Sequence, residues 1–210
     1  MRFYDRDKEL NILNTNWNQT TERGRLTVVT GRRRIGKTTM LRKSAEEGNQ
    51  PLLYLYVSKD NERVLTGKFQ EAAEQALGLQ IFGRLETFAQ FFEQLMRYGQ
   101  QNHFTLIFDE FQNFIKVNPA IPSHIQDIWD KNHEKVKVNM VACGSIYSMM
   151  HTFLLSERRN VNYIHLPYLI CLLSSHVDTW WGKWQSKGCT YGTRTNNILS
   201  LFSSNSMRFL

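Results

Sequence analysis

At 210 residues, 41% hydrophobic and 21% charged, the chain is long enough for one sizeable core with at most a small appended subdomain, and its make-up excludes a fibrous or wholly disordered protein. The net charge of +7 and pI near 9.4 admit an anionic partner, whether nucleotide, nucleic acid or acidic protein; with no long Lys/Arg run and no aromatic-interleaved basic stripe, a solvated basic surface is the simpler reading. Cys143, Cys171 and Cys189 have no paired spacing, which argues against a disulfide framework or zinc site and fits a reducing compartment.

The N-terminal MRFYDRDKEL is charged from its second residue and lacks the apolar core of a signal peptide, and the apolar run Tyr168 to Leu173 is too short to span a bilayer. A cytoplasmic protein with no membrane partner is expected. Asp5 or Asp7 is predicted to cap a helix with Leu10, Leu13 and Trp17 along one face. Polar residues Asn18 to Gly24 then lead into the apolar run Leu26-Thr27-Val28-Val29, rich in β-branched residues, which ends at Gly31, and Gly36-Lys37-Thr38 opens a segment of helical character. LTVVTGRRRIGKTTML thus has the pattern and setting of a phosphate-binding P-loop, with a glycine-containing basic turn as the bland alternative.

In such a loop the backbone curls until successive N–H groups point inward at the β- and γ-phosphates, and glycine is needed where a side chain would block the approach. Lys37 supplies a mobile positive charge, the Thr38 hydroxyl can ligate Mg²⁺, and the helix that follows adds free N–H groups and the positive end of its dipole. The predicted binding residues are Gly31, Arg32, Arg33, Arg34, Ile35, Gly36, Lys37, Thr38 and Thr39.

Met40, Leu41 and Ala45 continue this helix to Gly48. Pro51 to Val57 is a near-continuous apolar run and reads as a parallel strand buried on both faces. Helices are predicted over Glu62 to Leu77 and Leu85 to Tyr98; the second carries Leu85, Phe88, Phe91, Phe92 and Leu95 at helical spacing, aromatics that suit a core better than a ligand cage. The third strand, Phe104 to Phe108, runs into Asp109-Glu110. Opposite a P-loop, an Asp at a strand end can hold Mg²⁺ through its water shell, and an acid beside it can polarise the water that attacks the γ-phosphate. Asp109 is therefore the candidate metal partner and Glu110 the candidate general base, with two ordinary surface acids as the alternative.

After a loop with Pro119 and Pro122 comes a helix bearing Ile125, Ile128 and Trp129, then a fourth strand, Val136 to Ala142, that leads to Cys143-Gly144-Ser145. Ser145 could reach the γ-phosphate or the attacking water from between loop and acids; an ordinary turn or cap serine is the competing reading. His103, His124 and His133 lack metal-ligand spacing and receive no role.

FYDRDKEL, GRRRIGKTTML, LIFDEFQNF and ACGSIYSMM, in order from Phe3 to Met150, together resemble the archaeal-type ATPase domain, a P-loop family grouped with the AAA-like and STAND ATPases. The resemblance implies an α/β fold, a P-loop NTPase three-layer sandwich with a parallel sheet, helices on both faces, and one strand inserted between the P-loop strand and the acidic strand. It also implies ATP as the nucleotide, the roles just given to Lys37, Thr38, Asp109, Glu110 and Ser145, and a place beside the nucleotide for the helix carrying Arg6 and Glu9.

Residues 1–150 are thus expected to form the ATPase core. Beyond Met150 acids dwindle to Glu157 and Asp178, while Trp180, Trp181, Trp184 and serines accumulate. Tyr163 to Tyr168 resembles the family's fifth strand and Asn197 to Ser206 a later helix and turn, but neither Arg158-Arg159 nor Trp180 to Trp184 matches the glycine-arginine and glycine-rich lid turn such ATPases carry. Residues 151–210 are read as the remnant of a fifth strand and helical lid, disordered or altered, in a truncated or reading-frame-altered copy. An arginine acting on the transferring phosphoryl group is worth roughly 10³ to 10⁵ in rate, so its loss bears directly on turnover.

Three functions stay open. The first is an ATPase that binds ATP with Mg²⁺, hydrolyses it through Glu110 and drives a conformational change in a protein partner or a second copy. The second is a nucleotide-binding switch, or degenerate ATPase, with little turnover. The third is nucleic-acid binding through Arg32, Arg33 and Arg34, which no motif supports.

Overall fold

A computed structural model describes residues 6–145 and 161–166, which lie within the compact unit Met1–Leu169. In chain order the elements are α1 (Asp7–Gln19), β1 (Arg25–Thr30), α2 (Lys37–Glu47), β2 (Leu52–Tyr56), α3 (Glu62–Leu77), α4 (Phe88–Gln101), β3 (Phe104–Asp109), a 3-10 turn (Phe111–Asn113), α5 (Phe114–Val117), α6 (Ile121–Asn132), β4 (Val138–Gly144) and β5 (Val161–His165). The strands form a parallel sheet in the order β2-β3-β4-β1-β5. β4 is therefore the inserted strand between β1 and β3 that the family resemblance implies.

Side chains alternate across a strand, so each strand feeds two cores. Leu26, Val28, Leu106, Phe108, Met140 and Ala142 join Phe69 of α3, Phe88, Phe91, Phe92 and Leu95 of α4 and Ile125 of α6 on one face. On the other, Val29, Ile107, Val141 and Cys143 meet Leu10 and Leu13 of α1 and Met40 and Leu41 of α2. Helices thus cover both faces, and every residue of β3 and β4 is buried, as apolar runs in a parallel sheet require.

β2 corrects one expectation. Its apolar run reads as a strand buried on both faces, yet it forms the sheet edge: Leu53 and Leu55 are buried, Leu52 and Tyr54 are half-buried, and Tyr56 is 55% exposed. A run of apolar residues reports what the two faces touch but not whether a neighbouring strand pairs on each side.

Smaller departures have local causes. The Arg6 side chain, at the cap position of α1, makes no capping hydrogen bond; Asp7 and Glu9 fall inside the first turn, where their charge suits the helix dipole, and Asp5 lies outside the described residues. Pro122 lies in the first turn of α6 rather than in a loop, a position where the missing N–H has no helical acceptor to lose. α4 begins at Phe88 rather than Leu85 because Thr87 and Gln90 form a reciprocal capping box: Gln90 N donates to Thr87 Oγ1 and Thr87 N to Gln90 Oε1, each at 3.3 Å. Thr87→Ala is expected to lower stability by about 1 kcal/mol, read as an earlier urea midpoint at unchanged slope.

His103, which precedes β3, has a packing role that its sequence context does not suggest. The Trp17 ring lies flat on it, with centroids 3.6 Å apart, and its Nε2 sits 2.6 Å from Thr20 Oγ1. Burial pushes its pKa below the ordinary value.

Candidate nucleotide site

In a parallel sheet the carboxyl ends of all strands share one edge, and ligands bind where the strand order turns back. Here that edge carries the loop after β1, Asp109 at the end of β3 and Ser145 just past β4. With β4 between them, β1 and β3 are about 10 Å apart, two strand spacings. Side chains have to bridge that gap.

The loop is shaped by two glycines with different causes. Gly36, the N-cap of α2, has φ 85 and ψ 18, a left-handed conformation that L-residues disfavour, and a Cβ there would meet nothing within 4 Å. At Gly31, φ 151, a Cβ would stand 2.5 Å from Ile35 Cδ1 and 3.0 Å from the Leu166 carbonyl oxygen, so the loop is packed tightly against the end of β5. Arg34 also takes positive φ, 65, without being glycine. Lys37 is buried, and its Nζ donates to the carbonyl oxygens of Gly31 and Arg32, both at 2.8 Å. The ammonium is thereby held inside the curl of the loop. Arg32, Arg33, Arg34 and Thr39 are exposed, while Ile35 packs partly against the α1/α2 core.

Thr38 and Asp109 close the gap between loop and acidic strand. Thr38 Oγ1 donates to Asp109 Oδ2 at 2.7 Å. The same oxygen accepts from Tyr54 OH at 2.6 Å, and Asp109 Oδ1 accepts from Glu110 N at 2.9 Å, so three donors fix this buried carboxylate. Burial, followed by the hydrogen bond to Asp109, pushes the Tyr54 pKa up and keeps its phenol a donor; the Arg42 guanidinium sits 4.3 Å from the ring centroid. Beside them the Cys143 thiol is pushed well above its ordinary value, first by burial and then by the Asp109 charge.

Glu110 has left-handed backbone, φ 56 and ψ 40, at the mouth of the 3-10 turn. Such a conformation costs on the order of 1 to 3 kcal/mol in a non-glycine residue and is characteristic of functional sites. Its Oε2 accepts from Gln112 Nε2 and lies 3.5 Å from Arg33 Nη2. Gln112 Nε2 also reaches Ser145 Oγ, at 3.3 Å. Ser145 therefore stands beside the acidic pair, linked to Glu110 through Gln112. Arg6 and Glu9 pair with each other at 3.3 Å at the start of α1. Arg158, Arg159, the Trp180 to Trp184 stretch and Asn197 to Ser206 lie outside the described residues.

The donor set fits a magnesium nucleotide. A hydroxyl and a carboxylate in contact are hard oxygen ligands of the kind Mg²⁺ takes, and the open space at Gly36 permits close backbone approach by a phosphate. Two members of the site were missed in the sequence. Tyr54 is indistinguishable within an apolar strand, and Gln112, although inside LIFDEFQNF, acquires its role only when the 3-10 turn folds it back towards Glu110.

Comparison with known proteins identifies the family and the fold. The family described as the ATPase domain predominantly from Archaea matches residues 3–169. An uncharacterised protein of Methanocaldococcus jannaschii is 32% identical over 156 residues, covering 74% of this chain and 32% of the relative, so the chain spans about a third of that protein's length. Among solved structures, Cdc6p from Pyrobaculum aerophilum superposes with a TM-score of 0.56 at 16% identity, over 77% of this chain and 45% of its own. A Walker-type ATPase of Pyrococcus abyssi gives 0.55 at 16% identity, over 79% and 54%. At these identities the structural likeness speaks to the fold alone, and the fold is that of P-loop ATPases. With loop, acidic strand end and inserted strand in place and the family match running through most of its length, the chain belongs to the nucleotide-binding ATPase domain family found predominantly in Archaea.

Proposed function

We propose that this chain binds ATP with Mg²⁺ at the edge formed by the loop, Thr38 and Asp109, and hydrolyses it with Glu110 as general base. What carries the reading is the Thr38–Asp109 contact of 2.7 Å, which joins two residues distant in sequence into one cation-suited pair. Thr38 and Asp109 would hold Mg²⁺, which would supply neutralisation of the nucleotide's phosphate charge. The chain's own residues do the rest. Lys37, already inside the loop, places a positive charge at the phosphates, and the backbone N–H groups at the start of α2 orient them. Tyr54 keeps Asp109 oriented. Glu110 accepts a proton from the attacking water, and Ser145 hydrogen-bonds the water or the γ-phosphate. Hydrolysis would drive a conformational change passed to a protein partner or a second copy. Arg33 faces a carboxylate of the site, which favours a phosphate-side role for the loop arginines over nucleic-acid binding.

Lys37→Ala tests the binding half. Loss of a charge-assisted contact is worth about 1.5 to 3 kcal/mol, so the affinity for ATP with Mg²⁺, measured by calorimetry, is expected to fall by about 10- to 150-fold. Unchanged affinity would contradict this site.

A further inference from the structure

Resting on the ATPase reading and deepening it, we infer that Gln112 is the positioning residue of the site: its side-chain amide ties the Glu110 carboxylate to the Ser145 hydroxyl and fixes which carboxylate oxygen faces the water.

The geometry begins with the turn. Phe111 is buried against Phe108 and Phe114, and the Asn113 amide donates to the Val57 carbonyl at 2.9 Å, so the residues on either side of Gln112 are anchored. Gln112 itself is only 4% exposed. Its amide has two N–H donors, and two acceptors are in reach: Glu110 Oε2 and, at 3.3 Å, Ser145 Oγ. This assignment has two chemical consequences. With Oε2 engaged, Glu110 Oε1 is the oxygen left to take a proton. With Ser145 Oγ accepting, the Ser145 O–H is free to donate outward to a phosphate oxygen or the water.

A second observation separates positioning from packing. Gln112 Oε1 is buried with no hydrogen-bond partner among the described residues. Within the described residues the amide thus acts through its N–H groups alone, and a methionine, which fills a similar space without them, removes those bonds while keeping most of the packing. Arg33 completes the division of labour. Its guanidinium faces the same Glu110 Oε2 at 3.5 Å but is 72% exposed, so it can turn towards a phosphate while the buried amide keeps the carboxylate in place.

The experiment compares Gln112→Met and the same-shaped Gln112→Glu with the unsubstituted chain, each with and without Glu110→Gln, in ATP affinity, single-turnover hydrolysis and urea unfolding. For Gln112→Met the expected result is an ATP dissociation constant within twofold, hydrolysis at least tenfold slower, and no further slowing in the Glu110→Gln background. Gln112→Glu, which sets a carboxylate against Glu110, is expected to slow hydrolysis at least as much. Hydrolysis within twofold of the unsubstituted rate, or equal slowing in both backgrounds, overturns the inference. If Glu110→Gln itself leaves hydrolysis unchanged, or the unsubstituted chain does not turn over, the ATPase reading fails. The inference is then decided by an unfolding cycle of Glu110→Ala and Gln112→Met: non-additive midpoint shifts uphold the tie between the two side chains, and additive shifts overturn it.

Discussion

Glu110→Gln is expected to leave ATP affinity within about twofold and to slow single-turnover hydrolysis by about 10²- to 10⁴-fold, the contribution of a positioned general base. The two effects separate because the residues proposed to hold the nucleotide and the one proposed to activate water are different groups. Thr38 and Asp109 contact each other, Lys37 sits within the loop, and Glu110 takes no part in either arrangement beyond donating its backbone N–H to Asp109. The amide of the variant keeps the shape of the side chain but gives up its negative charge, and with it the Arg33 pairing and the capacity to accept a proton. Rapid-quench kinetics beside equilibrium binding distinguishes the cases. A parallel loss of affinity would make Glu110 a ground-state binding residue, and an unchanged rate would place the base elsewhere.

The largest effect on stability is expected at Phe88. Its ring is fully buried at the first turn of α4, with ring centroids of Phe69, Phe91, Phe92, Phe108 and Phe114 between 4.8 and 6.2 Å away. Few side chains could collapse into the space left by its removal, since the neighbours are themselves rings braced against one another. Phe88→Ala is therefore expected to cost about 3 to 5 kcal/mol, a large share of the roughly 5 to 15 kcal/mol that holds a domain folded. The consequence reaches the site, because Phe108 immediately precedes Asp109 and loses part of its support. Urea unfolding should show the loss, and added ATP with Mg²⁺ should recover part of it by binding only the folded state. A loss below 1 kcal/mol would mean the aromatic cluster is not the keystone of this face.

What could be read from the sequence was what depends on local chemistry. The loop between β1 and α2 was legible because its glycine, lysine and threonine recur at a spacing tied to one backbone shape, and the placement of Asp109-Glu110 because an apolar run ending in acids marks the end of a strand. α3 runs from Glu62 to Leu77 as predicted, since both of its stops are written locally: the Asn61 side chain accepts from Val64 N, and Gly78 takes φ 66 at the C-cap. Properties set by partners distant in the chain stayed hidden. β2 lies at the edge because no described strand pairs on its far side, which its own apolar residues do not encode. Tyr54 reaches Asp109 only once β2 pairs with β3 in the observed register, and Gln112 reaches Ser145 only once β4 inserts beside β3.

Single-turnover conversion of ATP by the unsubstituted chain, with protein in excess and with Mg²⁺ or a chelator present, decides whether this site hydrolyses what it binds. The expected result is product formation that requires Mg²⁺ and disappears in Glu110→Gln while ATP remains bound. ATP held by the chain with no product in any sample would contradict hydrolysis at this site and leave a nucleotide-binding domain without turnover.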